Sequence, residues 1–152
     1  MLKKLWFLVI PLCLIIGSCQ TQVQEVDCSL SEEDKEIIKN TVQTFHEDLN
    51  TLNLDAAFSK FTEDAVIKIQ KGITREGLSE IKKVHWVGTL EWDAQIIDVS
   101  GNGDLAYVWE SFILLLDFEG SERQKGDQVF ILRKQEDNSW LISKWISNSN
   151  PQ

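Results

Sequence analysis

The chain has 152 residues, enough for one domain of ordinary size. Its 15 basic and 24 acidic side chains give a formal charge of −9. That balance argues against nucleic acid, whose phosphates need Lys and Arg, and against electrostatic adhesion to anionic lipid.

The first eighteen residues stand apart from the rest. Lys3 and Lys4 form a positive start, and Leu5 to Ile16 is an apolar run interrupted only by Pro11. A membrane span needs about 20 such residues, so the run suits a secretory signal instead. It ends in Ile16-Gly17-Ser18-Cys19, which resembles the bacterial lipobox. The resemblance implies cleavage before Cys19 and acylation of that cysteine. A lipoprotein signal peptide is therefore expected at 1–18, a lipidated tether at 19–30 and a folded domain at 31–150. An ordinary secretory signal cut elsewhere is the alternative. Losing Lys3 and Lys4 would leave 13 basic against 24 acidic side chains, a formal charge of −11, so acyl chains would be the attachment to the membrane. Gln20 follows the cysteine in place of Asp, which resembles an outer-membrane destination. Cys28 would then be the one unmodified cysteine, with no partner for an intrachain disulfide. With His46 and His85 the only histidines, no metal site is expected, and no cofactor motif is visible.

A first helix is expected from Ser31. Ser31 can cap it, and Glu32, Glu33 and Asp34 suit the positive end of the helix dipole. Ile38, Val42, Phe45, Leu49 and Leu52 recur at helical spacing as one apolar face. Asp55 can cap a short second helix, Ala56 to Phe61. Ala65 to Gln70 reads as a short strand and Lys71-Gly72 as a turn. A third helix is expected over Arg75 to Val84, weakened by Gly77, which costs about 1 kcal/mol relative to Ala in a helix. Leu90 to Val99 alternates as a strand until Ile97 and Val99 break the phase, so a bulge is expected near Ile96. Gly101-Asn102-Gly103 closes a hairpin. Three long strands follow: Asp104 to Phe118, Arg123 to Gln135 and Ser139 to Ser147. Helices followed by a meander of strands read as α+β, with the helices packed on one face of a curved antiparallel sheet.

Several segments resemble one superfamily. Leu49-Asn50-Thr51-Leu52-Asn53-Leu54-Asp55-Ala56-Ala57-Phe58 and Phe61-Thr62-Glu63-Asp64-Ala65 resemble a segment of the SnoaL-like, nuclear transport factor-like proteins. Gly103 to Val108 and Asp137 to Ile142 resemble two later segments. Trp145-Ile146-Ser147-Asn148-Ser149-Asn150 resembles the ending of the ketosteroid-isomerase-related branch of unknown function. The resemblance implies a cone-shaped fold with a pocket at its open end. It leaves function open, because the fold hosts isomerases, cyclases, dehydratases and plain binding modules. Ketosteroid isomerases use a phenol on the first helix and a base carboxylate on the first short strand. Those positions fall here on Phe45 and Ile69, neither of which can do that work. Asp127 is the acid nearest the family's third carboxyl position, and the role is not carried over to it.

From the residues themselves, Glu110 interrupts a face made of Ala106, Val108, Phe112, Leu114 and Leu116. An acid so placed is a candidate base, or else it pairs with a neighbouring strand or a dimer rim. His46 adjoins the apolar face of the first helix and is a candidate proton carrier; a half-exposed structural role is the alternative. His85 is expected at a helix terminus. Of Trp86, Trp92, Trp109, Trp140 and Trp145, at most two are expected to line a pocket. Strict alternation from Ser139 puts Trp145 on one face with Ser143 and Ser147, and Trp140 with Ile142 and Ile146 on the other. Trp145 and Ser143 are therefore the candidate ligand-binding residues. The leading expectation is a lipid-anchored, non-catalytic domain in the cell envelope that binds a small apolar ligand or a protein partner. An acid–base enzyme using Glu110 or His46 is the rival. The long strands carry more apolar surface than one layer of helices can cover, so a homodimer through the outer sheet face is expected.

Overall fold

A computed structural model describes residues 29–69 and 72–151. The signal segment, Cys19, Cys28 and Lys71 lie outside the described residues. Three helices and six strands follow in order: α1 (Glu32–Asn50), α2 (Leu54–Phe58), β1 (Phe61–Ile69), β2 (Ile73–Glu76), α3 (Leu78–Ile81), β3 (Thr89–Asn102), β4 (Leu105–Leu116), β5 (Gln124–Lys134) and β6 (Trp140–Pro151). The strands form one sheet in the order β2-β1-β6-β5-β4-β3. This is the expected α+β arrangement, with the helices on one face of a curved sheet. The sheet is mixed, not wholly antiparallel. β1 pairs with β6 in parallel, Ile67 opposite Trp145, because the chain returns to β1 only after crossing from β2 through α3 and the whole meander.

α1 begins as the sequence implies. Ser31 has extended backbone and its Oγ accepts from the Asp34 amide. The inward stripe is Ile38, Val42, Phe45, His46 and Leu49. Leu52 does not continue it: the chain has left the helix, Leu52 has a positive φ of 54°, and its side chain is exposed. Upstream, Leu30 is buried and Ser29 bridges to Asn102. The fold thus takes in the last two residues assigned to the tether.

Two expected helices are shorter than their patterns. α2 starts after Asn53 and ends at Phe58, not at 56–61. The expected helix over Arg75 to Val84 is split: Ile73–Glu76 pairs with β1, Gly77 turns with φ 86°, and only Leu78–Ile81 is helical. Gly77 supplies a backbone conformation other residues avoid, and its N–H donates to Ala65 O at 2.7 Å.

The expected bulge in β3 is present. Ile96 opposes Glu110 and Asp98 opposes Trp109, so Ile97 is the extra residue. A second bulge lies in β6. Ile131 opposes Lys144 and Leu132 opposes Ile142, which leaves Ser143 unpaired. One inserted residue reverses the alternation beyond it. Trp140 and Ile142 therefore face inward together with Trp145, and all three are core residues. Strict alternation had placed them on opposite faces. Ser143 instead donates its hydroxyl to Ile131 O at 3.0 Å.

Phe45 centres the core. Its ring meets Phe61, Phe130 and Trp145 edge-on, with centroids 5.3, 5.8 and 5.3 Å away. Such contacts add to plain burial. The outer face of the sheet carries Ile97, Leu105, Tyr107, Trp109 and Ile146, all exposed. Trp109, Val129 and Ile146 lie side by side across β4, β5 and β6.

Asp34 ties the start of α1 to the far end of the meander. One carboxylate oxygen accepts from Lys134 Nζ and from Trp140 Nε1, each at 2.8 Å. These bonds, Lys134's first, hold the Asp34 pKa down to about 2, against 3.8 ordinarily. A depressed carboxylate stabilises the fold above its unfolded value and loses that contribution as pH falls through the folded one. Stability is therefore expected to fall between about pH 4 and pH 2. Asp34→Asn should cost about 1–2 kcal/mol at pH 7 and flatten that acid limb, as read by denaturant melts across the range.

Candidate functional site

A cavity of about 470 Å³ opens at one end of the cone. Its apolar wall includes Leu49 from α1, Ile69 and Ile73 from β1 and β2, and Phe112, Leu114 and Leu116 from β4. Trp86 and Val87 come from the segment between α3 and β3. The volume lies within the range of ordinary small-molecule sites. Three tryptophans line it, Trp86, Trp92 and Trp145, one more than expected. Trp86 and Trp145 stack with an interplanar angle of 13° and centroids 6.1 Å apart. Phe130 also stacks on Trp145 at 5.6 Å. His85 is exposed beside Trp86 and also lines the cavity. It does not end a helix, because α3 stops at Ile81.

The structure brings Glu110 and His46 together. Glu110 lies on the inward face of β4, 1 % exposed, between Val108 and Phe112. His46 reaches it from α1, with Nε2 2.8 Å from Glu110 Oε2. The same oxygen accepts from Gln128 Nε2 at 2.8 Å. Gln128 stands directly across from Glu110 on β5, and its Oε1 accepts from Trp145 Nε1 at 3.0 Å. This fixes the amide's orientation, since an indole only donates and a carboxylate only accepts. A polar line thus runs from His46 through Glu110 and Gln128 to the cavity face of Trp145.

Neither Glu110 nor His46 lies on the cavity wall; Gln128, Trp92 and Trp145 do. The His46 ring packs on Trp92 with centroids 4.7 Å apart. His46 Nδ1 and Trp92 Nε1 are both buried without a hydrogen-bond partner among the described residues.

Of the two residues read from sequence as ligand-binding, Trp145 is on the wall. Ser143 is not, because it is the bulged residue and its hydroxyl serves the β5 backbone. Asp127 faces outward, where it accepts from Trp109 Nε1 at 3.3 Å; its neighbour Gln128 is the inward residue. Phe45 is buried in the aromatic core and Ile69 lines the cavity. Gln128 escaped the sequence reading. It interrupts the inward row Phe130 and Leu132 of β5 just as Glu110 interrupts that of β4. The register that pairs them was not legible from either strand alone.

Truncating Glu110 should be expensive. Glu110→Ala leaves the Gln128 amide and His46 Nε2 buried without their acceptor, and is expected to cost about 3–5 kcal/mol. Glu110→Gln keeps an acceptor oxygen at the same place and should cost less than half of that. Urea melts of the two variants measure the difference.

No protein-family model matches this sequence, and none of the curated proteins does. Solved structures do match. One is a ketosteroid isomerase-like protein from Erwinia carotovora atroseptica SCRI1043, with 18 % identity and a TM-score of 0.69 over 80 % of this chain and 100 % of that one. Another is a protein of unknown function with a cystatin-like fold from Nostoc punctiforme PCC 73102, at 17 % identity and TM-score 0.68, covering 81 % and 96 % of the two chains. A third is a candidate scytalone dehydratase from Novosphingobium aromaticivorans DSM 12444, at 12 % identity and TM-score 0.67, covering 78 % and 85 %. These likenesses establish the fold, a cystatin-like, nuclear transport factor-like cone.

Proposed function

We propose that this chain is a lipid-anchored domain of the bacterial cell envelope that binds a small apolar molecule in its cavity without transforming it. The observation that carries this reading is the composition of the wall. It is aromatic and aliphatic, and the buried acid and imidazole stand behind it, engaged with each other and with Gln128. The fold, shared with an isomerase-like protein and a candidate dehydratase, suits a domain that binds or converts a small molecule. The non-catalytic choice is supported by Phe45 and Ile69, which occupy the two positions where the resembled isomerases carry phenol and base. An acid–base enzyme working through Glu110 or His46 would need Gln128 and Trp92 to move aside. A protein partner fits a concave apolar hollow of about 470 Å³ less well than a small ligand does.

Native mass spectrometry of the protein purified from its host is expected to show a retained molecule of a few hundred daltons. Incubated with the protein, that molecule should be recovered unchanged. Its conversion by the wild type and not by Glu110→Gln would replace the binding reading with the catalytic one.

The anchor is proposed from the lipobox-like Ile16-Gly17-Ser18-Cys19 alone, and the outer membrane from Gln20. Cys19→Ser should abolish labelling by a clickable palmitate analogue and leave an unprocessed precursor. Wild-type labelling and migration would remove the anchor from the proposal. The row Trp109, Val129 and Ile146, exposed at Trp109 and Ile146, supports a homodimer through the outer sheet face. Sedimentation at micromolar concentration should give a dimeric mass that Trp109→Lys reduces to a monomer.

A further inference from the structure

We propose that the molecule taken up by the cavity is uncharged and flat, and that Ser147 receives its hydrogen-bonding group at the inner end of a polar strip along β5 and β6. This rests on the binding reading above and specifies its ligand.

The charge argument comes first. The chain has 15 basic and 24 acidic side chains, yet among the described residues no Asp, Glu, Lys or Arg lines the cavity. His85, a titratable group on the wall, is exposed to solvent. An ion entering this space would give up water and meet no full counter-charge from the described wall residues, which is costly in an apolar site. The faces of Trp86, Trp92 and Trp145 offer the complementary surface, broad and planar, to an aromatic or fused-ring body.

The polar groups on the described wall are few, and most are already used or, like the unpartnered Trp92 Nε1, buried out of reach. Gln128 has its amide oxygen on Trp145 and its nitrogen on Glu110. Trp86 Nε1 donates to Ile81 O at 3.3 Å, and the Thr89 hydroxyl to Asn50 Oδ1 at 2.5 Å. Gln124 Oε1 accepts from the Ser149 hydroxyl at 2.9 Å, which leaves its nitrogen spare. Ser147 lines the cavity and has no hydrogen-bond partner among the described residues. A hydroxyl both donates and accepts, so it serves a ligand hydroxyl or carbonyl equally.

Register gives the strip its shape. Ser147 is directly opposite Gln128, and Ser149 opposite Gly126. Gly126 shares its face with Phe112, its partner on β4. A Cβ at Gly126 would lie 1.9 Å from Asn148 O, so β5 and β6 approach there as only glycine allows. Between Gln128 and Gln124 the wall on β5 is therefore bare of side chain. Four residues of strand span about 13 Å. A flat molecule lying along the strip meets Ser147 at its inner end and Gln124 at its outer one.

Three matched probes test this: phenanthrene, 9-phenanthrol and phenanthrene-9-carboxylate. Each is titrated at pH 7.5 against the full chain held in amphipol, with empty amphipol as the blank, by quenching of tryptophan fluorescence. Phenanthrol should bind about tenfold more tightly than phenanthrene, the worth of one good hydrogen bond. The carboxylate should bind at least about tenfold more weakly than phenanthrol. Ser147→Ala should bring phenanthrol down to the affinity of phenanthrene. Carboxylate binding as tight as that of phenanthrol overturns the uncharged ligand, whether or not His85→Gln abolishes it. An advantage for phenanthrol that survives Ser147→Ala, or that is absent from the wild type, overturns the role of Ser147. Failure of all three probes to bind overturns the cavity-binding reading itself, and this inference with it.

Discussion

One oxygen atom, Oε2 of Glu110, holds the interior together. It faces His46 Nε2 from α1 and accepts from Gln128 Nε2 on β5, both at 2.8 Å. Through Gln128 it also fixes Trp145 on β6. Four elements are thereby tied at one buried point. In such surroundings a partly satisfied polar group is costly and a satisfied one is rigidifying. The wall of the cavity inherits that rigidity. Trp145 cannot rotate without losing its acceptor, and the Trp86 and Phe130 rings both stack near-parallel to it. A preformed aromatic wall needs little ordering when a ligand arrives, which conserves affinity.

The fold was largely legible because its signals are local. The Ser31 cap, the α1 stripe, the Gly-Asn-Gly hairpin and the alternation of β4 and β5 each occupy a few consecutive residues. The bulge at Ile97 was legible for the same reason: two adjacent apolar residues break a visible phase. The bulge at Ser143 was not. Ser139 to Ser147 reads as clean alternation, and the extra residue shows only against the register of β5. That register is set by Gln128, Phe130 and Leu132, which are distant in sequence. The helix expected at 75–84 failed on a tertiary opportunity. Ile73–Glu76 gains a strand partner in β1, and Gly77 turns the chain before a helix can start.

The site was half legible. An acid amid apolar residues is conspicuous in one strand, and a histidine beside a helical stripe in one helix, so Glu110 and His46 stood out singly. Their meeting depends on how α1 crosses the sheet, which no local pattern encodes. Gln128 carries no charge to draw notice, yet it connects the pair to the cavity. Ser143 was read on one face with Trp145 and Ser147, and the same hidden bulge takes it off the cavity wall.

The departures from the isomerase pattern become coherent once the interior is seen as a whole. Phe45 fills the centre of the aromatic core, where a phenol would need a buried partner for its hydroxyl. It makes edge-on contacts with Phe61, Phe130 and Trp145, and the His46 ring lies tilted against it at 5.6 Å. Ile69 presents a branched alkyl group to the cavity where a base would present charge. Glu110 and His46 lie behind the wall, engaged with each other and with Gln128. Chemistry on a substrate needs a proton donor or acceptor in contact with it. Here the described contact layer is mainly tryptophan, phenylalanine and aliphatic side chains, with His85, Thr89, Ser147 and the amides of Gln124 and Gln128 among them. Such a layer can hold and orient a molecule, and Glu110 and His46 brace it from behind through Gln128.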